Sequence, residues 1–207
     1  MTVREINGET VERRRKRLRD EYDDVTVREE TETVGGDLFE ELRAESRDGY
    51  TGGGYAWVVR EPDDAAPLTE SMPDDVGDER SVLMILGRGG TEWGLPGGGR
   101  EDGETYERAA VREVHEETGV DCEITECFLV VHRVTVSEDD HDDRLHTLWV
   151  FFDAAYSGGS IAIQPGELSG AAWFERPPDR LYPENEFRAA DFWEGVEREG
   201  DVLARRL

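Results

Sequence analysis

The sequence is poor in positive charge and in lysine above all. Only 24 of its 207 residues are lysine or arginine, against 50 aspartates and glutamates, and Lys16 is the single lysine. A net charge of −26 would repel both a phosphate backbone and an anionic membrane surface, so the composition argues against nucleic-acid and membrane partners. Extreme acidity with little lysine indicates adaptation to a salty cytoplasm, where salt screens self-repulsion.

Cysteine and long apolar runs are also scarce. The two cysteines, Cys122 and Cys127, stand five residues apart on an expected strand, so they should point to opposite faces. We expect them to be reduced and structural, as in cytosolic proteins. No stretch has the pattern of a signal peptide or the length of a transmembrane run. The sequence therefore predicts a soluble, cytoplasmic protein.

The stretch Gly97–Val120 combines a glycine loop with about four turns of an amphipathic helix. Helical spacing places Glu113, Glu116 and Glu117 within an arc of roughly 100°, and Gly119 suits the end of the helix. Three clustered carboxylates repel one another, and packing gives no reason to gather them. A hard divalent cation, Mg²⁺ or Mn²⁺, would resolve the repulsion because it prefers oxygen ligands.

Two neighbouring features fit such a site. The stretch Trp93–Gly99 leaves its backbone free of side-chain bulk, so it could approach phosphates or offer a carbonyl to a metal. Arg112 stands four residues before Glu116 and could hold a neighbouring carboxylate in one rotamer.

The spacing of these residues resembles the Nudix box without a departure. Gly98 is followed after five residues by Glu104, and after seven more by Arg112–Val120. The resemblance implies metal-dependent hydrolysis of a diphosphate linkage in a small nucleotide, either a nucleoside diphosphate derivative or a nucleoside triphosphate. The implied metal ligands are one backbone carbonyl and three carboxylates, those of Gly98, Glu113, Glu116 and Glu117.

The resemblance also implies roles for other side chains. Glu116 or Glu117 could act on the attacking water, Arg112 would orient a carboxylate, and Glu104 would support the loop and helix. Glu167, six residues ahead of a Trp-Phe pair, would reach the metal cluster or the catalytic water, unless it is a turn residue.

Two further residues are candidates for contacting the substrate. Arg88 could bind a phosphate, and an ordinary surface arginine is the alternative. Trp93 could stack on a base, although core packing is the default for a tryptophan.

The fold implied by the resemblance is α/β, an α/β/α sandwich around a mixed β-sheet. Residues 1–52 would form an N-terminal extension of a helix and a β element, which could mediate a homodimer. Residues 53–178 would form the catalytic domain, with an acidic insert at 61–80. Residues 179–207 would supply a C-terminal helix packed on that domain.

Hydrophobic periodicity and β-branched runs predict the individual elements. Residues 37–46 fit either a helix or a strand. The predicted helices cover residues 8–23 and 184–198. The predicted strands cover residues 25–34, 55–60, 81–87, 123–136, 145–156 and 161–163, followed by the Trp-Phe strand.

Two charged segments leave alternatives open. The basic block Arg13–Arg19 could pair with the acidic body of the protein, or it could bind an anion or RNA. The loop 137–144 could be a solvated hairpin, or it could supply His141 or a carboxylate to the active site. Two alternative functions remain open, a nucleotide-sensing regulator without catalysis and an RNA 5′-end pyrophosphohydrolase guided by the basic block.

Overall fold

The computed structural model describes residues 3–64, 79–139, 142–163 and 166–196. The chain divides into two compact units whose segments interleave along the sequence. The first unit comprises Met1–Ala56, Gly97–Arg112 and Ile124–Asp153. The second unit comprises Trp57–Pro96, Glu113–Glu123 and Ala154–Leu207.

The described residues form nine strands and four α-helices. The strands are β1 (Arg4–Ile6), β2 (Thr26–Val34), β3 (Gly52–Arg60), β4 (Ser81–Gly87), β5 (Trp93–Gly94), β6 (Gly97–Gly99), β7 (Val120–Ser137), β8 (Asp143–Gly159) and β9 (Leu168–Phe174). The helices are α1 (Gly8–Glu21), α2 (Gly36–Arg47), α3 (Tyr106–Thr118) and α4 (Glu186–Phe192). Strands β3, β7 and β8 and helix α3 each continue from one unit into the other.

The first unit is built on strands in the order β2-β7-β8-β3, with β1 beside β8 and β6 beside β3. β1 runs parallel to β8 and β2 runs parallel to β7, whereas β6 is antiparallel to β3. The sheet is therefore mixed, as the resemblance implied. Val11 and Leu18 of α1 are fully buried in this unit, which explains the apolar spacing that predicted the helix.

The second unit is centred on β4, an apolar strand that is antiparallel to the end of β3, to β5 and to β9. Its residues Val82, Leu83 and Met84 are fully buried. Leu83 lies opposite Trp173 of β9, so the predicted Trp-Phe strand is confirmed and completes this core.

Two of the predicted elements are wrong in extent or kind. Residues 161–163 are not a strand, because the backbone N–H of Ala162 donates to the carbonyl of Thr118 at 2.7 Å and closes the end of α3. Helix α4 ends at Phe192, earlier than predicted. Three residues later, Gly195 adopts a φ of 77°, in the left-handed region that favours glycine. Residues 37–46, which fitted either pattern, lie in helix α2.

Three other features of the sequence are the two cysteines, the expectation of no membrane span and the acidic insert. Cys122 and Cys127 are free and buried, and burial raises the pKa of each thiol to about 12, so neither is reactive. Among the described residues, none of the helices is long and apolar enough to cross a membrane. Most of the acidic insert predicted at 61–80 lies outside the described residues.

Candidate active site

Helix α3 carries the predicted carboxylates, and its two ends are defined by specific hydrogen bonds. The Thr105 hydroxyl accepts from the backbone N–H of Arg108 at 3.3 Å and caps the first turn. At the other end, Gly119 has a φ of 72° and donates to the carbonyl of His115 at 2.8 Å. Gly119 thus ends the helix in the left-handed conformation that the sequence predicted.

The three glutamates lie on the last turns of α3, in the second unit. Glu113 and Glu117 are half-buried, and Glu116 is exposed. Their oxygen donors are of the type that Mg²⁺ or Mn²⁺ prefers, so the residue types fit a hard cation. In the described ranges, however, no three acidic, histidine or cysteine side chains converge as a ready-made metal site.

The glycine loop in the first unit is built by close backbone contact. Gly97, Gly98 and Gly99 form β6 and pair with Gly53, Gly54 and Tyr55 of β3. A Cβ added at Gly53 would lie 2.2 Å from the carbonyl oxygen of Gly98. Only glycine therefore allows β3 to approach the carbonyl that the resemblance assigns to the metal.

Arg112, in the middle of α3, fastens this loop to the helix. Its Nε donates to Oε1 of Glu104 and its Nη2 donates to Oε2, both at 3.1 Å. The same Nη2 donates to the Gly99 carbonyl at 2.9 Å. The hydrogen bond from Arg112 holds the pKa of Glu104 below its ordinary value, helped by the backbone N–H of Glu101. Glu104 and Arg112 thus form a charged clamp next to Gly98.

Arg100 is a residue of this loop that sequence reasoning missed. It is only 2% exposed, and its guanidinium donates to neutral backbone and hydroxyl oxygens around the loop. The sequence feature that could have pointed to Arg100 is its position directly after three glycines. An arginine there gives no sign of burial, because two of its partners, Gly49 and Thr51, come from a distant part of the chain.

Glu167 and Arg88 lie together in the second unit. The backbone N–H of Arg88 donates to the Glu167 carbonyl at 3.0 Å, and its Nη1 donates to the Gly166 carbonyl at 3.1 Å. Both side chains are exposed. Arg88 therefore ties the segment that carries Glu167 to the end of β4.

Trp93 lies in a cleft of about 700 Å³ within the second unit. Its ring packs edge-on against Phe174 with centroids 4.8 Å apart. The cleft is lined by Thr91, Trp93, Ala172, Trp173, Phe174, Glu175, Arg176, Pro178, Asp179 and Arg180. Trp57, by contrast, is fully buried against Trp193, so it belongs to the core.

The two charged segments have different outcomes. Several side chains of the basic block Arg13–Arg19 pair with carboxylates: Arg15 with Glu29 at 2.6 Å and Arg17 with Glu107 at 2.8 Å. This agrees with the interpretation that the block pairs with the acidic body. His141, the candidate from loop 137–144, lies outside the described residues.

Known proteins resemble the chain over this region. The sequence model of the NUDIX domain matches residues 75–193, more than half of the chain. The chain is 27% identical over 124 residues to the Bacillus subtilis protein named "Putative 8-oxo-dGTP diphosphatase", covering 59% of this chain and 77% of that protein.

Two other relatives match shorter stretches. Nucleoside triphosphatase NudI of Enterobacter is 33% identical over 89 residues, covering 41% of this chain and 62% of the relative. NAD-capped RNA hydrolase NudC of Stutzerimonas stutzeri is 36% identical over 74 residues, covering 36% of this chain and 24% of the relative. The chain therefore spans about a quarter of NudC.

Proposed function

The chain belongs to the NUDIX domain family, and we propose that it is a divalent-metal-dependent hydrolase of small nucleotides. The reaction is cleavage of the diphosphate linkage in a nucleoside diphosphate derivative or a nucleoside triphosphate. The observation that best supports it is the clamp of Arg112 on Glu104 and on the Gly99 carbonyl. This clamp holds the glycine loop against helix α3. Glu113, Glu116 and Glu117 follow Arg112 on the same helix.

The proposed ligands of Mg²⁺ or Mn²⁺ are the Gly98 carbonyl and the carboxylates of Glu113, Glu116 and Glu117. A bound cation of this kind neutralises phosphoryl charge and lowers the pKa of a coordinated water. Glu116 or Glu117 takes the proton from the attacking water, and Glu167 is the other candidate for this role. The oxygen of that water bonds to one phosphorus, the P–O bond to the bridging oxygen breaks, and a nucleoside monophosphate is one product.

The names of two relatives favour nucleoside triphosphates, including oxidised forms, as substrates. Trp93 and the cleft beside it are the proposed place for an aromatic base. Arg88 is the proposed phosphate contact, because its guanidinium is exposed at the Glu167 segment.

The proposal is tested by a phosphate-release screen over nucleotides with Mg²⁺ and Mn²⁺ at high KCl. We expect Glu116→Gln to lower turnover by roughly 100-fold or more while the protein stays folded, because the variant loses a negatively charged oxygen at the cation. Glu126→Gln, at an exposed glutamate of β7, is the matched control and should keep full turnover. Unchanged turnover in Glu116→Gln would remove the carboxylate assignment.

An RNA-directed enzyme is the second candidate, since one relative is named for capped RNA. The ion pairs of Arg15 and Arg17 with glutamates count against it, because they occupy the basic side chains that would meet a phosphate backbone. Salt-dependent RNA binding that disappears when Arg13–Arg19 is neutralised would favour this candidate. A regulator without catalysis would show nucleotide binding and no hydrolysis with either cation.

A further inference from the structure

Arg100 is a buried cation held by neutral oxygen atoms. Its Nε donates to the Thr51 hydroxyl at 3.2 Å, and its Nη1 donates to the carbonyls of Glu104, at 3.1 Å, and Glu101. Its Nη2 donates to the Gly49 carbonyl. Burial lowers the pKa of Arg100, and nearby Arg14 lowers it further. A buried charge is costly, so stability alone gives little reason to place an arginine here.

The arrangement instead fixes a short backbone segment of the glycine loop. The two carbonyls bound by Nη1 belong to the first and last residues of Glu101–Glu104. The same turn is closed by the bond from the Glu104 backbone N–H to the Glu101 carbonyl at 3.2 Å. This turn determines where the Glu104 carboxylate points, and that carboxylate accepts both hydrogen bonds from Arg112.

Thr51 connects this turn to two other elements. Thr51 is 2% exposed, and its hydroxyl accepts from Arg100 and also from Nη1 of Arg14 in α1. The same hydroxyl lies 3.2 Å from the hydroxyl of Tyr106, which donates to the Thr51 carbonyl at 2.9 Å. Tyr106 is the first residue of α3. One threonine therefore links the N-terminal helix, the loop and the beginning of the metal-binding helix.

We infer that Arg100 is a positioning residue for the Gly98 carbonyl and the Glu104–Arg112 clamp, and that Arg14 acts with it through Thr51. The inference rests on the proposed function, because it concerns the affinity of the proposed cation site. It also gives Arg14 of the basic block a role that involves no nucleic acid. The N-terminal helix then contributes to catalysis through Thr51, by supporting the proposed cation site.

Mn²⁺ binding to the purified full chain, followed by electron paramagnetic resonance, tests the inference without substrate. We expect Thr51→Val, Arg14→Met and Arg100→Met each to weaken Mn²⁺ binding by about 10-fold or more, as loss of supporting hydrogen bonds does at other metal sites. Arg100→Lys keeps the positive charge but loses the planar guanidinium. It should therefore bind Mn²⁺ more tightly than Arg100→Met and more weakly than the unmodified chain. In hydrolysis, the half-saturating Mn²⁺ concentration should rise by the same factor.

Two controls separate positioning from general destabilisation. Thr147→Val changes another buried threonine of the first unit, and Arg13→Met changes a neighbouring exposed arginine whose guanidinium bonds to Thr10 of the same helix. Both controls should bind Mn²⁺ like the unmodified chain. If Arg100→Met does not fold, Thr51→Val and Arg14→Met decide the question.

The outcomes distinguish the inference from the proposed function. An unmodified chain that binds no Mn²⁺ would overturn the proposed function, and the inference with it. An unmodified chain that binds Mn²⁺ while Thr51→Val and Arg14→Met bind it equally well would overturn the inference alone. A loss in Thr51→Val no greater than that in Thr147→Val, at equal thermal stability, would also overturn it.

Discussion

Gly53 is a residue at which a small change should disturb the glycine loop. An alanine Cβ there would meet the Gly98 carbonyl oxygen at 2.2 Å and its carbon at 2.9 Å, and both are backbone atoms. We expect Gly53→Ala to lower the free energy of unfolding by about 2 kcal/mol, the usual scale of an overpacked core site. It should also weaken Mn²⁺ binding, because the carbonyl of Gly98, a proposed ligand, must move. Urea denaturation and Mn²⁺ titration measure the two effects.

Gly87→Ala is the matched control for this substitution. Gly87 also lies in a strand, yet no atom lies within 4 Å of a Cβ placed there. It should change neither stability nor Mn²⁺ binding appreciably. Equal effects at the two glycines would show that the contact with Gly98 is not what requires glycine at position 53.

The residues of the Nudix box could be predicted from sequence because they lie within 23 positions of one another. Helical periodicity relates Glu113, Glu116 and Glu117 directly, and Gly119 ends the helix for a local steric reason. Thr51 and Arg14 could not be found in this way. Their hydrogen bonds depend on how β3 and α1 meet the loop, and no local pattern encodes that meeting.

At the scale of elements, a chain of polar side chains joins β1 to β8 and β7. Glu5 accepts from Nε2 of His146 at 2.5 Å, and Nδ1 of His146 lies 2.8 Å from Nε2 of His132. With both imidazoles neutral, His132 donates to His146 and His146 donates to Glu5. Nδ1 of His132 is buried and has no hydrogen-bond partner in the described part of the chain. A second proton on His132 would therefore be poorly accommodated.

This arrangement predicts loss of stability in mild acid. Burial lowers the pKa of His132, helped by His146 and Arg15 and opposed by Glu29 and Glu12. The unfolded chain, with an ordinary histidine pKa of about 6.5, binds this proton more tightly than the folded chain. The stability contributed by neutral His132 is therefore complete above about pH 6.5 and is lost as the pH falls through the lower, folded pKa.

Urea denaturation across a pH series measures this effect. Between about pH 7.5 and about pH 5, the midpoint should fall less steeply for His132→Gln than for the unmodified chain. His115→Gln, at an exposed histidine outside this chain of side chains, is the comparison variant. An unaltered slope in His132→Gln would contradict the assignment.

Element predictions succeeded where burial follows local periodicity. Helix α1 buries Val11 and Leu18, seven positions apart, as a helix requires. The pattern at residues 37–46 was ambiguous, and the buried Phe39 and Ser46 of α2 show the same spacing. Residues 161–163 were mistaken for a strand because their apolar alternation cannot reveal a bond to the end of α3.

At the scale of the whole molecule, the net charge of −26 predicts a requirement for salt. Like charges at this density destabilise a compact state, and salt of about 1 M shortens the screening length to about 3 Å. We expect the melting temperature to rise by several degrees between about 0.1 M and about 3 M KCl. Scanning calorimetry measures it, and a melting temperature that falls with KCl would contradict adaptation to a salty cytoplasm.

The two native thiols are buried, and each has a pKa of about 12. Neither would therefore compete with an introduced surface cysteine for a thiol reagent. A cysteine introduced at an exposed site would therefore react alone with a maleimide fluorophore, and no native position would first have to be replaced. Attached at Glu126, such a dye would report on folding or on cation binding from a single known point.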